Sequence, residues 1–361
     1  MRKIARKAVR AQVPTTFRDP LGLTMRILRS RHPAALLALG SALLGLACTP
    51  LDVLLRLREA KVYRNAGPPR WPVLLVCGAP RSATTLVAQV LMKHLPVGFI
   101  NNLTAVFPRS PITANRLFGK LIGKPRIVYD NFYGKSIGLS GPNDSLHIWD
   151  RWLERESATQ HLEPEDEADM ARFFGAYEAF LDKPIVNKNN MLNSCAPIVA
   201  RALPSARFIC TRRDPVQLAQ SLLIARSEIH GDPRAPYGLH DPSRSCGSRS
   251  PAAGGAEDGS DPIEDVCAQA LYHQGLIGEA EHVLGPERFW VVEYDKFCAS
   301  PWELVARASH EILGQPVDVE ELRQKMTPFE VSNRVRIPPE SFERIRSRIE
   351  SSRAAPGRRA T

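Results

Sequence analysis

The sequence predicts a three-layer α/β fold, in which helices cover both faces of a central parallel sheet. The apolar run WPVLLVCG is short, unbroken and ends in glycine, as in a strand buried on both faces of such a sheet. A polar loop, APRSATT, follows, and then LVAQVLMKHL with helical periodicity. This order is the opening of a P-loop-like nucleotide-binding domain. The 361 residues are 43% apolar and 24% charged, which supports a packed core.

Further strands and helices alternate after this opening. The later strand candidates are PIVNKNN (184–190), ARFICTRRDP (206–215) and RFWVVEYDKF (288–297). The helical candidates are an acidic stretch at 151–182, MLNSCAPIVARAL (191–203) and residues 264–284. The loop at 231–262 is rich in Gly, Pro and Ser. It is long for a compact domain, so we expect a lid or a flexible insert there.

The basic residues concentrate at the two ends of the chain. Of the net charge of +10, residues 1–32 carry +8 and residues 343–361, an Arg-rich tail, carry +4, which leaves −2 for the body between them. A body that binds nucleic acid should itself be basic, so nucleic acid is not an expected partner. The basic ends suit an anionic surface such as lipid headgroups, or they are solvated tails.

An apolar segment lies between the basic N-terminus and the predicted domain. Residues 33–48 contain only Pro, Ala, Leu, Gly, Ser and Cys, and basic residues alternate with apolar ones after Pro50. This pattern predicts an apolar, amphipathic and membrane-associated helix over 33–64, with a membrane surface as its partner. A single membrane span and a helix packed on the domain are the alternatives.

Seven cysteines are scattered along the chain, without CxxC pairs or zinc-ligand spacing. This distribution does not resemble a disulfide framework, and it favours a reducing compartment. We therefore expect a cytoplasmic protein at a membrane surface. A single-pass membrane protein with its body on the far side is the alternative.

The loop after the first strand has the composition of an anion-binding turn. Its candidate ligand-binding residues are Gly78, Pro80, Arg81, Ser82, Ala83, Thr84 and Thr85. The N-terminus of a helix favours an anion, and arginine and hydroxyl side chains add donors. In the Walker pattern the second Gly and the Lys would stand where this chain has Ala83 and Thr84. The loop therefore favours phosphate or sulfate over ordinary ATP hydrolysis, with a nucleoside-phosphate kinase as the alternative.

A second motif, RRDPVQLAQS (212–221), follows the third predicted strand. Arg213 lies at the strand end, where its guanidinium can pair with a phosphate. Ser221 lies on the following helix and offers a second donor.

These two motifs resemble those of the sulfotransferase family. GAPRSATTL resembles the loop that binds the 5′-phosphosulfate of 3′-phosphoadenosine 5′-phosphosulfate (PAPS), and RRDPVQLAQS is similar to the 3′-phosphate motif R-(D/N)-P-x-x-x-x-x-S. VVEYDKFCASP (291–301) is similar to the late strand of the family. The resemblance implies a sulfotransferase domain over 70–342 that transfers a sulfonyl group from PAPS to a hydroxyl or amine of a carbohydrate, lipid or small molecule. A catalytically inactive protein with the same fold, which binds PAPS only, is a further alternative.

The resemblance also suggests catalytic residues. Arg81 matches the family's Lys or Arg beside the bridging phosphate oxygen, and Lys188, at the end of the second predicted strand, is the second cation. Some relatives have a histidine base two residues after this lysine, where this chain has Asn190. Asp144 and His147, within the segment 131–152, are therefore the candidate general bases.

The C-terminal loop VSNRVRIP supplies further candidates. The family often brings a basic loop to the 3′-phosphate, which suggests this role for Ser332, Arg334 and Arg336. The resemblance implies no metal, because positive side chains already take the phosphate-binding roles.

Overall fold

The five strands form one parallel sheet in the order β2-β3-β1-β4-β5. This computed structural model describes residues 25, 33–125, 127, 129, 136–153, 161–240 and 261–354. The strands are β1 (Val73–Gly78), β2 (Gly98–Phe99), β3 (Ile185–Lys188), β4 (Ala206–Arg212) and β5 (Phe289–Glu293). The predicted parallel α/β fold is therefore confirmed. The β2 strand was missed, because two residues are too few to produce a pattern.

Helices connect and cover the strands. The helices before β3 are α1 (Pro33–Arg64), α2 (Thr84–His94), α3 (Leu103–Val106), α4 (Pro111–Phe118), α5 (Leu146–Trp149) and α6 (Pro164–Leu181). Those after β3 are α7 (Ala196–Ala202), α8 (Pro215–His230), α9 (Pro262–Leu284), α10 (Tyr294–Ala299), α11 (Pro301–Arg307), α12 (Val319–Lys325) and α13 (Pro339–Ala354).

The core has two halves, one on each face of the sheet. Val73, Leu75 and Cys77 of β1 point to the face that packs with α6, α7 and aromatic residues such as Trp149. The alternate residues Leu74 and Val76 point to the face that packs with α2, α10 and α11. Since successive side chains of a strand point to opposite faces, an unbroken apolar strand serves both halves.

Two predicted element boundaries, at β5 and at α7, were wrong. The last predicted strand, which is β5, ends at Glu293 rather than at residue 297. The chain continues as α10, where Tyr294, Phe297 and Cys298 are buried at helical spacing. The predicted helix 191–203 is a 3₁₀ turn (Asn190–Ser194) followed by α7. Cys195 lies between the two with a non-helical backbone, and Pro197 in the first turn of α7 has no N–H to continue the helical ladder.

The acidic helix begins at Pro164 rather than 151, with proline in the first helical turn where it is favoured. Residues 154–160 of the predicted stretch lie outside the described residues.

The C-terminal helix α13 crosses the predicted boundary at residue 343. Its buried residues Phe342, Ile345 and Ile349 belong to one helix, and the two isoleucines pack in a cluster with α8 and α9. On its exposed side, Arg348 pairs with Glu264 of α9 at 2.6 Å. Residues 343–354 are therefore part of the folded body rather than of a tail.

The N-terminal helix α1 is continuous through Pro50 and packs on the domain. Its inward side carries two buried carboxylates. Asp52 accepts hydrogen bonds from the Arg109 N–H (3.2 Å) and from the Ser110 hydroxyl (2.7 Å). Glu59 accepts from the Ile112 and Thr113 N–H groups at 3.1 and 2.8 Å. Both acids therefore bind the otherwise unpaired N–H groups around the start of α4.

The inward side of α1 therefore packs on the domain, as one of the predicted alternatives had it. Within the described ranges, we find no helix with the length and hydropathy that a membrane crossing requires.

The first part of the predicted insert, residues 231–240, is held against the body. The Gln269 amide donates to the carbonyls of Tyr237 and Leu239 at 2.7 and 2.9 Å. The fully buried Arg226 binds Gln269 (2.8 Å) and Asp265 (2.5 Å). The chain from 231 to 240 therefore packs on α8 and α9. Residues 241–260 lie outside the described residues.

Candidate active site

The candidate site lies where β3, β1 and β4 end side by side. Parallel strands deliver their carboxyl ends to one edge of the sheet, and the crevice outside that edge is where such folds bind ligands. The pairing aligns Val76 with Lys188 and Gly78 with Thr211. Three parts of the chain therefore meet at this edge: the loop after β1, the residues that follow Lys188 at the end of β3, and Arg213 just after the end of β4.

The loop 79–83 turns sharply from β1 into α2. Gly78, Arg81 and Ala83 have φ angles of 137°, 73° and 70°. The N-terminus of α2 has no side-chain cap at Ala83. The first N–H groups of a helix have no partner within the helix, so this end of α2 presents donors and a positive dipole to an anion.

The hydroxyls of the loop do not all face the cleft. The Ser82 hydroxyl is buried, donating to the Ala79 carbonyl and sharing a hydrogen bond with Thr211 Oγ1, both at 2.7 Å. Thr84 Oγ1 donates to Asn190 Oδ1 at 2.9 Å. These two side chains therefore fasten the loop to β4 and to the 3₁₀ turn after β3. Thr85 is half-buried at the start of α2.

Replacing Gly78 by alanine is expected to destabilise the protein by about 3 kcal/mol or more, since a positive φ and a steric clash add together. A Cβ at this position would lie 2.5 Å from Thr211 Oγ1 and 2.7 Å from the Thr211 carbonyl oxygen. Thermal denaturation measures the effect. The matched control is Gly275→Ala in α9, where a Cβ meets open space and alanine favours the helix. A melting temperature for Gly78→Ala equal to that of the unchanged protein would contradict the tight turn at this position.

Arg81, Arg213 and Ser221 converge beside this loop. Arg81 Nε donates to Ser221 Oγ at 3.3 Å, and Arg213 donates from Nη1 to the Arg81 carbonyl at 3.1 Å. The Asp214 side chain caps α8 by accepting from the Val216 and Gln217 N–H groups. The two sequence motifs therefore form one basic cluster rather than two separate sites.

Arg213 is buried in a largely polar setting. Its Nη2 donates to the Ser332 carbonyl and, at 3.3 Å, to Asn333 Oδ1, and its guanidinium lies 4.7 Å from the centre of the Tyr294 ring. Burial lowers the pKa of Arg213, and nearby positive charges, including Arg81, lower it further, although Tyr294 acts in the opposite direction. Its Nε–H is buried and has no partner among the described residues. This donor and the concentrated positive charge favour an anionic ligand.

The C-terminal loop contributes mainly through its backbone. The Ser332 N–H donates to the Tyr294 hydroxyl at 2.9 Å, and the Ser332 carbonyl accepts from Arg213. The exposed Arg334 side chain pairs with Glu330. The positive charge of Arg336 acts on Arg213, and the Arg336 N–H donates to Gln220 Oε1 at 2.7 Å. The structure thus places Arg336, rather than Arg334, toward the basic cluster.

Lys188 and Asp144 form an ion pair at the end of β3. The distance from Lys188 Nζ to Asp144 Oδ2 is 2.9 Å, and Lys188 is buried. Asn189 Nδ2 donates to the Asp144 carbonyl at 3.2 Å, which holds the segment against the sheet. His147 lies three residues further on, with Nε2 3.1 Å from Thr104 Oγ1 of α3. Both candidate bases are therefore anchored near the end of β3.

The nearby tryptophans fill the core. Trp149 and Trp152 are buried and pack against each other at 6.0 Å between ring centres. They are therefore not available to stack on a sugar ring.

Sequence reasoning missed Tyr237. Tyr237 lies in the segment that Gln269 holds. The next residue, Gly238, lies against the anion-binding loop, because a Cβ added there would be 2.7 Å from Pro80 Cγ. Burial raises the pKa of Tyr237, and the charges of Arg81 and Asp144 act on it in opposite directions. The phenol of Tyr237 therefore lies within electrostatic range of both Arg81 and Asp144. Its only sequence signal was an aromatic residue in a Gly/Pro-rich loop, which predicted nothing.

Within the described ranges, no three His, Cys, Asp or Glu side chains come together in a way that would hold a metal ion. The site is built from basic side chains, the Asp144 carboxylate, the His147 imidazole, amides, hydroxyls and one helix N-terminus.

The chain is similar to known proteins of one family. The model of the sulfotransferase family matches residues 72–317. A sulfotransferase structure from Mycobacterium avium is similar with a TM-score of 0.52 and 14% identity, over 97% of this chain and 95% of that chain. A sulfotransferase structure from Mycobacterium tuberculosis gives a TM-score of 0.43 and 12% identity, over 97% and 98% of the two chains. No curated protein sequence matches the chain.

Proposed function

Since this chain belongs to the sulfotransferase family and is a sulfonyl-transferring enzyme, we propose that its donor is PAPS and its acceptor a hydroxyl or amine. The observation that carries the proposal is the convergence of Arg81, Arg213 and Ser221 beside the uncapped N-terminus of α2. A nucleotide with phosphates at both the 3′ and 5′ positions needs two anion-binding elements in one cleft. The two motifs supply these elements on neighbouring strands, β1 and β4.

The residues fit the two ends of such a nucleotide. The loop 79–83 and the start of α2 would hold the 5′ end through backbone N–H groups. Arg213 and Ser221 would hold the 3′-phosphate. The buried Nε–H of Arg213, which has no partner among the described residues, supports this assignment, because a buried donor favours a ligand that satisfies it.

Two cations are then available to the reacting group. As the sulfonyl group leaves, negative charge develops on the phosphate oxygen that it leaves behind. A fixed cation at that oxygen stabilises the transition state more than the ground state. We assign this role to Arg81. Lys188 is the second cation, and its ion pair with Asp144 keeps it oriented at the end of β3.

The acceptor must lose a proton to the enzyme. Asp144 is the candidate base held closest to Lys188, at 2.9 Å, and His147 is the alternative. The charges of Arg81 and Asp144 both act on the pKa of Tyr237, so we place its phenol within electrostatic range of this region. The acceptor proposed from the family is a carbohydrate, a lipid or a small molecule.

We propose a cytoplasmic location for this chemistry. All six cysteines within the described ranges are free, including the buried Cys77 and Cys210 in neighbouring strands. Free thiols are usual where the compartment is reducing.

Transfer of labelled sulfate from PAPS to a panel of hydroxyl and amine acceptors tests the proposal. Turnover on any member of the panel supports it. Tight binding of adenosine 3′,5′-bisphosphate without turnover on a broad panel would point instead to an inactive binding protein. A requirement for ATP and Mg²⁺ would point to a kinase.

Asp144→Asn is expected to lower kcat by about 10² to 10⁴, the range for loss of a general base, while binding of adenosine 3′,5′-bisphosphate changes little. The amide keeps the size of the carboxylate and can accept from Lys188, but it cannot take up a proton. His147→Asn is the matched variant. If His147→Asn lost the activity and Asp144→Asn kept it, the base would be His147.

A further inference from the structure

The outward side of α1 is an apolar surface that the described part of the protein leaves uncovered. Its exposed side chains are Leu43 (63% exposed), Leu46 (65%), Val53 (51%), Leu54 (63%) and Leu57 (70%). At 100° per residue these positions fall on one side of the helix, opposite the buried Asp52, Leu55 and Glu59. We call this surface the leucine face. An exposed apolar patch of this kind marks an interaction site.

The exposed charges of α1 itself are of one sign. The only acids of α1, Asp52 and Glu59, are buried and bonded to the start of α4. The basic residues at its C-terminal end are Arg56, Arg58, Lys61 and Arg64, and the last three are exposed. In the sequence, residues 1–32 add a further +8 before this helix. The helix therefore presents leucines together with positive charge only.

We propose that the leucine face binds the surface of an anionic lipid bilayer, with α1 lying along the interface. Leucine side chains on one side of a helix enter the acyl boundary, and flanking lysines and arginines bind the headgroups. The helix lies on the membrane rather than crossing it, because its other side is fixed to the domain by Asp52 and Glu59.

A second copy of the chain suits this surface less well. Pairing two copies of α1 would bring two sets of exposed positive side chains together, with no exposed acid on the helix to offset them. Like charges in contact destabilise an interface. An anionic bilayer neutralises the same charges, so charge complementarity favours lipid.

Helix α1 packs against α3, a short helix that contacts the candidate base His147. A Cβ at Gly45 of α1 would lie 3.6 Å from Val106 Cα of α3, so the two helices are in close contact. Thr104 of the same short helix bonds His147. Lipid binding would therefore place the bilayer on the side of the domain that carries this candidate base.

Vesicle sedimentation with the purified full chain tests the proposal. We expect sedimentation with phosphatidylcholine vesicles that contain phosphatidylglycerol, weaker binding at high salt, and little binding to phosphatidylcholine alone. Leu46→Glu and Leu57→Glu are each expected to lower the bound-to-free ratio by about tenfold or more, because a charge replaces a leucine that enters the apolar boundary. Arg58→Gln and Lys61→Gln should each lower it by about fivefold on anionic vesicles.

The matched control is Val283→Glu, which adds the same charge at a residue 57% exposed on α9. It should sediment like the unchanged chain. Failure of the unchanged chain to bind anionic vesicles would overturn the proposal, as would an equal loss in Val283→Glu. A dimer that Leu46→Glu converts to a monomer, without vesicle binding, would overturn it in favour of a second copy. Sedimentation does not depend on catalysis, so the result is independent of the proposed PAPS reaction.

Discussion

Replacing Arg81 by alanine should lower kcat for sulfonyl transfer by about 10² to 10³, the cost of removing one fixed group that stabilises charge in a transition state. Arg81 lies at φ 73°, a backbone angle that alanine also adopts at Ala83 with φ 70°. The substitution therefore adds no new kind of backbone strain. It removes the guanidinium at the place where charge develops on the leaving oxygen, so the loss should fall on kcat more than on binding.

Initial rates of transfer measure this effect, with adenosine 3′,5′-bisphosphate binding as the second readout. Arg81→Lys restores a positive charge and should recover part of kcat, whereas Arg81→Ala should not. The matched control is Arg323→Ala, because that arginine is exposed on α12 and its nearest acid is 3.9 Å away. A kcat for Arg81→Ala within a few-fold of the unchanged enzyme would remove Arg81 from the reaction.

Arg213→Ala should raise the KM for PAPS by roughly 10- to 100-fold, since a hydrogen bond to a charged group contributes about 1.5–3 kcal/mol. The effect on kcat should be smaller, because the 3′-phosphate does not react. The melting temperature should also fall. The Arg213 guanidinium holds the Arg81 and Ser332 carbonyls, and these lose a donor in the variant.

The neighbouring Arg212→Ala is the matched control for this substitution. Arg212 ends β4 and binds Glu293 at 2.7 Å instead of the loop at 79–83. The KM of the Arg212→Ala variant for PAPS should stay unchanged. An equal rise in KM for both variants would show that the effect is general loss of charge. An unchanged KM in Arg213→Ala would contradict the assignment of the 3′-phosphate site.

The sheet was largely predictable because β1 is a continuous apolar run, and β3 and β4 each carry a short apolar run that ends in polar residues. β1, β3 and β4 begin within three residues of their predicted starts, and their parallel pairing follows from the helices between them. The elements that were missed depend on tertiary contacts. β2 is two residues long, and α13 looks like an Arg-rich tail until its Phe342, Ile345 and Ile349 are seen to be buried.

The candidate site was predictable where a motif joins a loop to a strand end. Gly78, Arg81, Arg213 and Ser221 follow buried strands at fixed spacing, so the sheet brings them together. The inward turn of the Ser82 hydroxyl, the surface position of Arg334 and the approach of Tyr237 were not predictable. Ser82 and Tyr237 each depend on a partner far away in the sequence, Thr211 for Ser82 and Gln269 for Tyr237, whereas Arg334 pairs with the nearby Glu330.

Titration calorimetry of adenosine 3′,5′-bisphosphate with the purified full chain tests the central claim most directly. The claim is that Arg81, Arg213 and Ser221 form one cleft for a nucleotide that carries phosphate at both ends. We expect saturable binding, with much weaker binding of adenosine 5′-monophosphate and of the Arg213→Ala variant, because each lacks one side of the 3′ contact. Absence of heat with the bisphosphate, or equal affinity for the monophosphate, would contradict the claim.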